Sequence, residues 1–355
     1  MRRYRWGLLA LIGLVAVSVL VAVVRGGSPG PPFGEAGAPA ASELLLPVQD
    51  RPTAPELSGV EGWLNSPPLR LPALRGKVVL LDFWTYSCIN CVRTFPHLQA
   101  LQDRYGQRGL VIIGVHSPEF DFEKVRDNVA GAARRLGVTW PVALDPGMST
   151  WRAYGNNVWP AEYLIDQSGR LSYRHLGEGE YGATERAVAG LLSATAPSPG
   201  SAGEDAPDTP RTPELYAGSE RGKLADGERY GDRDVPTAYA DHGPPTERDV
   251  IQITGTWSDH GQYILATAPG HVRLSFHAET VLIVAGTESA TPAVAGVTVD
   301  GRRPASDQRG AGLGADGLTV GRNDLFPLLI AQDPGHHLLD LSVPAGFQLY
   351  TFTFG

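Results

Sequence analysis

Only two cysteines occur in this 355-residue chain, three apart as Cys88-Ile89-Asn90-Cys91, at the junction of a strand pattern and a helix pattern. Lys77 to Trp84 is a short, nearly continuous apolar run rich in β-branched residues, as in a strand covered on both faces. Leu110 to Val115 repeats it. Between them Val92, Phe95, Leu98, Leu101 and Tyr105 recur every three or four residues, an apolar stripe on a helix that stops at Gly106. The order is β-α-β, which commits this part of the chain to a layered α/β architecture with both thiols at one strand-to-helix turn.

Cysteines so close together cannot staple distant loops, so their use points to chemistry rather than scaffolding. Structural zinc needs about four ligands, and neither a second CxxC nor an HxxxH completes the set, so no metal and no cofactor is expected. Cys88 stands at the start of the helix, beside unsatisfied backbone N–H groups and the positive end of the helix dipole, a setting that favours thiolate over thiol. Cys91 lies one turn on and can close a disulfide across that turn. The chemistry this pattern suggests is exchange through a mixed disulfide, with Cys88 attacking and Cys91 resolving. An inert buried pair or half of a metal site is the alternative.

Asp82 interrupts an apolar strand six residues before Cys88. There a carboxylate would lose hydration and hold a proton near neutrality, which suits a proton acceptor for the Cys91 thiol. A strand-end carboxylate reaching water or capping backbone is the competing reading.

The N-terminus sets the expected compartment. Arg2, Arg3 and Arg5 precede an uninterrupted apolar run from Trp6 to Val24, long enough as a helix to cross a hydrocarbon layer of ~30 Å. Arg25 closes it. The basic excess before the run keeps the N-terminus cytoplasmic and sends the rest outward. A cleaved leader would have a shorter apolar core and a small-x-small site, whereas Val23-Val24-Arg25 follows here, so the segment reads as a retained single-pass anchor in the cell membrane.

Residues 26–56, rich in Gly, Pro and Ala, read as a flexible stalk, and the first domain is expected over 57–193. After Leu110 to Val115 come a helix over about Phe122 to Leu136 with interleaved charges including Glu123, and a strand at Pro141 to Leu144. A hairpin over Ala161 to Ile165 and Leu171 to His175 follows, then a helix from about Ala183 to Leu192. Residues 194–211 are Ser, Gly, Pro and acidic residues, a linker. From 212 to 355, after an irregular lead-in to about 248, nine short β-rich runs alternate with Gly, Pro, Asp or Asn, which predicts an all-β antiparallel sandwich or jelly roll. The net charge of −8 lacks the basic footprint of a nucleic-acid binder.

These residues carry a resemblance. Asp82-Phe83-Trp84, the CxxC spacing, Pro96 five residues after the second cysteine and Pro160 ahead of a strand resemble the thioredoxin superfamily. Val78 to Val92, Val111 to Phe120 and Trp159-Pro160-Ala161-Glu162-Tyr163-Leu164-Ile165-Asp166 resemble its TlpA/DipZ-type membrane-tethered branch. The resemblance implies a thioredoxin-like fold for the first domain, with Cys88 as nucleophile, Cys91 as resolving thiol, Asp82 as buried carboxylate and Pro160 as a cis-proline facing the sulfurs. Trp84, Trp159, Ile89 and Asn90 would then border a bound substrate polypeptide. It further implies reduction of disulfides in exported proteins, cytochrome c maturation among the roles.

Thr212-Pro213-Glu214-Leu215-Tyr216, Gly255-Thr256-Trp257 and the closing Tyr350 to Gly355 resemble the C-terminal region of DipZ proteins, a carbohydrate-binding-module-like sandwich that implies a glycan or protein ligand. DipZ proteins usually begin with a multi-span electron-transfer domain. A single segment here implies an electron donor supplied in trans by another membrane protein.

Other directions stay open. The pair Ile89-Asn90 replaces the Gly-Pro of thioredoxin itself, and the intervening residues tune potential, so oxidase or isomerase activity is an alternative. Thr85, three before Cys88, leaves thiol peroxidase as another, and a surface binding protein is an alternative of a different class. His97 and His116 read as solvated or capping residues; Glu162, next to Pro160, could modulate the cysteines, but the reading preferred is an exposed strand residue. Trp257, Tyr263, Phe276 and Tyr350 read as core rather than a sugar platform, and His336-His337 as a turn.

Overall fold

The computed structural model describes residues 40–194 and 211–355, apart from 290 and 334, all within one compact unit, Pro39–Gly355. The anchor expected over Trp6 to Val24, the stalk before residue 40 and linker residues 195–210 lie outside them. Among the described residues no helix is long and apolar enough to cross a membrane.

In the first domain β1 (Gly62–Leu64), β2 (Val78–Trp84), β3 (Leu110–His116), β4 (Val142–Leu144), β5 (Ala161–Ile165) and β6 (Leu171–Leu176) pair in the order β1-β4-β3-β2-β5-β6. β2, β3 and β4 are mutually parallel; β1, β5 and β6 run antiparallel to their neighbours. The helices are α1 (Ala41–Leu44), α2 (Ile89–Tyr105), α3 (Arg126–Arg135), α4 (Ser149–Ala153) and α5 (Tyr181–Leu191). All seven residues of β2 are buried, as its unbroken apolar pattern requires of a central strand. Alternation sends Leu80 and Trp84 to one face, with Leu98 and Leu101 of α2 and Val188 of α5, and sends Val79, Leu81 and Phe83 to the other, with Trp151 and Tyr154.

The structure corrects two expectations here and adds two short elements. The stalk does not reach residue 56: Leu44 and Leu45 pack on the core, the Leu46 N–H donates to the Ser172 carbonyl at 2.8 Å, and Arg51 pairs with Asp166 at 3.0 Å. Two of three consecutive leucines in a Gly/Pro-rich stretch, Leu44 and Leu45, find apolar cover on the domain, and Leu46 stays exposed. The helix expected from Phe122 is a 3-10 turn, Asp121–Lys124, followed by α3 from Arg126, because Glu123 turns inward. β1 and α4 are too short for a periodicity to announce them.

In the second domain the strands are β7 (Leu215–Tyr216), β8 (Thr237–Tyr239), β9 (Gln252–Asp259), β10 (Ile264–Ala266), β11 (Gly270–Phe276), β12 (Val281–Thr287), β13 (Ala293–Val299), β14 (Leu318–Val320), β15 (Asp324–Leu329), β16 (His337–Val343) and β17 (Phe347–Phe354). Nine of them form one antiparallel path, β14-β13-β16-β11-β9-β10-β17-β12-β15, with β7 added to β17 and β8 to β9. The lead-in thought irregular thus contributes two strands. The expected two separate sheets are one nearly closed sheet around a single core. The reason lies in β9: its first half pairs with β11 and its second half with β10. Gly255, at φ +94°, makes the bend, and a Cβ there would come within 2.9 Å of Gly270 Cα and the Pro269 carbonyl. His337 starts β16 rather than lying in a turn.

The two domains meet on the loop after β3. Phe120 is buried with Val284 and Tyr350, its ring edge-on to Tyr350 at 5.2 Å. Arg221 lies 5.0 Å over the Phe120 ring and pairs with Glu119 at 2.7 Å; Asp121 N–H donates to Gln262 at 2.9 Å, and Arg135 pairs with Asp324.

Candidate active site

Cys88 caps α2 in an extended conformation, and the Val92 N–H donates to its carbonyl at 3.1 Å, closing the first turn. Both cysteines are free thiols, but only Cys88 is partly exposed; Cys91 is fully buried. Burial pushes the Cys91 thiol up, Cys88 and then Asp82 adding to it, while a backbone contact at Thr85 opposes the shift.

In front of the pair, Thr85, Tyr86 and Ser87 are buried. Glu123 holds them: one of its oxygens accepts from the Ser87 N–H (3.2 Å) and hydroxyl (2.6 Å), the other from the N–H groups of Glu119 (2.7 Å) and Phe120 (3.0 Å). Burial raises the Glu123 carboxyl, Glu119 adding, and these donors hold it back. The loop entering the helix is therefore tied to the same segment that contacts the β-domain.

Behind the pair, Asp82 lies on the α2 face of β2, fully buried, and neither of its oxygens has a hydrogen-bond partner among the described residues. Burial pushes its carboxyl well above the ordinary carboxylate range, and Glu162 pushes it further. The strand-end carboxylate reaching water is thereby excluded. Glu162 stands directly opposite Asp82 in the β2–β5 register and is 2% exposed, which corrects the reading of an exposed strand residue.

The Trp159–Pro160 bond is cis. Pro160 comes one residue beyond the last register pair, Phe83 with Ala161, at the end of the sheet where α2 begins. Trp159 is partly exposed, donates from Nε1 to the Ser117 carbonyl at 3.0 Å and lies 4.2 Å from the Trp151 ring. Ile89 and Asn90 are partly exposed as well. Trp84 is not: its indole is fully buried, edge-on to Phe95 (5.2 Å) and His116 (4.9 Å), so it cannot border a substrate.

The histidines correct their sequence reading too. His116 is buried between Trp84 and Tyr86, and burial lowers it to about 3, so it is a neutral ring. His97 packs on Tyr181 and is lowered to about 4, by burial first and then by His175 and Arg104. Glu123 is the residue that the sequence pattern does not mark as part of the site, whereas Glu162 is marked by its place after Pro160 but read as exposed. Pairing the Ala161 to Ile165 strand with Asp82's strand is what puts Glu162 opposite Asp82.

Two thiols at the turn from a parallel strand into its helix, on this sheet order, make the first domain thioredoxin-like. Residues 52–192 match the Redoxin family, and residues 212–355 match the family described as thioredoxin like C-terminal domain. Residues 52–192 thus form a thioredoxin-like domain, and thiol–disulfide oxidoreductases are among the proteins that the chain resembles. Along most of its length it is similar to Protein DipZ of Mycobacterium tuberculosis, 39% identical over 318 residues, 85% of this chain and 43% of that protein. It thus spans less than half the length of that relative. It is also 32% identical over 127 residues to the thiol-disulfide oxidoreductase ResA of Halalkalibacterium halodurans, 35% of this chain and 66% of that protein. With the thiol-disulfide oxidoreductase YkuV of Bacillus subtilis it shares 28% over 145 residues, 41% of this chain and 97% of that protein.

Proposed function

We propose that this protein reduces disulfides of exported proteins outside the cytoplasm, held at the membrane by Trp6 to Val24 and resupplied with electrons by a separate membrane protein. The observation that carries this reading is the asymmetry of the pair: Cys88 partly exposed at the start of α2, Cys91 buried over an unpaired carboxyl. Cys88, as thiolate, attacks a substrate disulfide, whose sulfur–sulfur bond breaks and whose first sulfur leaves as thiolate. Cys91 then gives its proton to Asp82 and attacks the Cys88 sulfur; the second substrate thiolate leaves, and the two electrons have passed from the pair to the substrate. Trp159, Ile89, Asn90 and the Pro160 segment form the surface on which the substrate chain lies.

For the β-domain we favour a scaffold role over glycan capture. Its only tryptophan, Trp257, is 1% exposed with Nε1 bonded to the Thr254 carbonyl at 2.8 Å, so it offers no stacking face.

Insulin reduction tests the chemistry: Cys88→Ser should abolish it, and Cys91→Ser should accumulate a mixed disulfide. Wild-type activity in Cys88→Ser ends the proposal. The direction is tested by equilibrating the pair against glutathione, where about 30 mV corresponds to a tenfold change in equilibrium constant. A pair that stays reduced in glutathione mixtures that oxidise a reductase would make this an oxidase or isomerase.

A further inference from the structure

The mechanism above leaves a proton to dispose of. Asp82 is fully buried, neither of its oxygens has a hydrogen-bond partner among the described residues, and its proton needs a route to water. The register of the sheet supplies one. Asp82 on β2 pairs with Glu162 on β5, and Glu162 in turn pairs with His175 on β6, so three ionisable side chains stand in a row across three strands on the α2/α5 face. Directly opposed residues place their Cβ atoms roughly 4.5–5.5 Å apart, within reach of carboxyl and imidazole groups. At the far end His175 is 12% exposed, and its Nδ1 lies 3.7 Å from Oε2 of Glu180, a residue 71% exposed at the start of α5. The other His175 nitrogen, Nε2, is buried without a hydrogen-bond partner among the described residues, as is Oε1 of Glu162.

We propose that Glu162 and His175 form the proton route between the Cys91–Asp82 pair and solvent, with Glu162 sharing a single proton with Asp82 and His175 exchanging protons with the surface at Glu180. This rests on the reading of Asp82 as proton acceptor.

The electrostatics require the sharing. Two carboxylates buried side by side cannot both be ionised. Glu162 receives a hydrogen bond from the Thr184 hydroxyl at 2.6 Å, backed by Tyr173 at 3.2 Å, and faces His175, whereas Asp82 receives none. Negative charge therefore settles on Glu162 and the proton on Asp82. An Asp82 that already holds a proton cannot take another from Cys91. It must first pass its own to Glu162, and from there the proton leaves through His175.

The step balances. As the Cys91 sulfur bonds to that of Cys88, the bond from Cys88 to substrate breaks, the substrate leaves as thiolate, and one proton moves from Cys91 to Asp82 while one exits by Glu162 and His175. When the pair is reduced again, the proton returns the same way. The groups facing this row are few. Asp82 meets Cys91 from α2 and the uncharged Gly114 from β3; Glu162 meets Thr184 and Tyr181 from α5 and Tyr173 from β6; His175 meets His97 from α2 and Glu180.

The test is the single-turnover rate of product release from a preformed mixed disulfide, measured against pH in the full chain for wild type, Asp82→Asn, Glu162→Gln and His175→Gln. Glu162→Gln keeps the Thr184 bond but removes the neighbouring charge, so the midpoint of the rate profile should move about one unit to lower pH. His175→Gln should slow release about tenfold in dilute buffer, and added imidazole should restore it. A Glu162→Gln profile that overlays wild type, beside an Asp82→Asn profile that shifts, overturns the route alone. If Asp82→Asn also overlays wild type, the acceptor role of Asp82 has failed instead. Infrared spectra of the wild type need no folded variant: a protonated-carboxyl band at neutral pH is expected, and its absence overturns the shared proton.

Discussion

Glu123 and Asp82 are both buried carboxyl groups beside the cysteine pair, yet Glu123 accepts four hydrogen bonds and Asp82 none. In front of the sulfurs the carboxyl stitches two loops together, and its own segment is held by the β-domain through Phe120. Behind them the carboxyl sits over apolar strand neighbours and opposite a second acid. The difference separates structure from chemistry. A satisfied buried carboxyl fixes geometry and resists change of charge, whereas an unsatisfied one is destabilising in its ionised form and therefore ready to exchange a proton.

The largest expected effect attacks the front. Glu123→Ala leaves the Ser87 hydroxyl and three backbone N–H groups unpaired in a buried site, which should cost about 4 kcal/mol in urea unfolding. Glu123→Gln keeps acceptance on one side and should lose about half as much. A loss under 1 kcal/mol for Glu123→Ala would mean that these bonds do not hold the loop.

Phe120→Ala tests whether the β-domain supports that front side. Truncating a fully buried phenylalanine should cost about 3 kcal/mol. Because Phe120 packs in a separate cluster with Val284 and Tyr350, the midpoint of the exchange rate against pH should stay where it is in wild type. A moved midpoint would show that front and back are not separate.

The back of the site was the more legible half. Asp82 announces itself because it breaks a run of strand residues that all need apolar cover on both faces. The thiols, β2, α2 and β3 follow from local period, and so do β9 to β17, each a short run between turn residues. Glu123 stays hidden because nothing local marks it, and the place of Glu162 after Pro160 does not reveal its burial. Glu123 reads as one charge among several on a helix until the Ser87 loop is packed against it, and Glu162 reads as exposed until α5 covers its strand. The attachment of Leu44 to Ala54 and the strands β7 and β8 were missed for the same reason. The partners of Leu46 and β7, Ser172 and β17, lie more than a hundred residues away in the chain, and β8 is only three residues long beside β9.

Asp82→Leu should give the smallest change in stability and reverse its sign. Removing a buried carboxyl that has no hydrogen-bond donor, and filling its volume with a side chain suited to β2, should stabilise the protein by about 1–3 kcal/mol near pH 8. The pH dependence fixes the cause. The folded state raises the Asp82 carboxyl above its unfolded value, so the folded protein binds more protons between the two. Its contribution is intact below about pH 4 and is lost as pH rises through the folded value. The advantage of Asp82→Leu over wild type should therefore be smallest near pH 4 and grow toward pH 8, and urea unfolding across that range measures it. A constant gap would assign the gain to packing alone. Combined with slowed release from the mixed disulfide, a growing gap would mark Asp82 as a group whose charge the fold tolerates only for its chemistry, the opposite of Glu123.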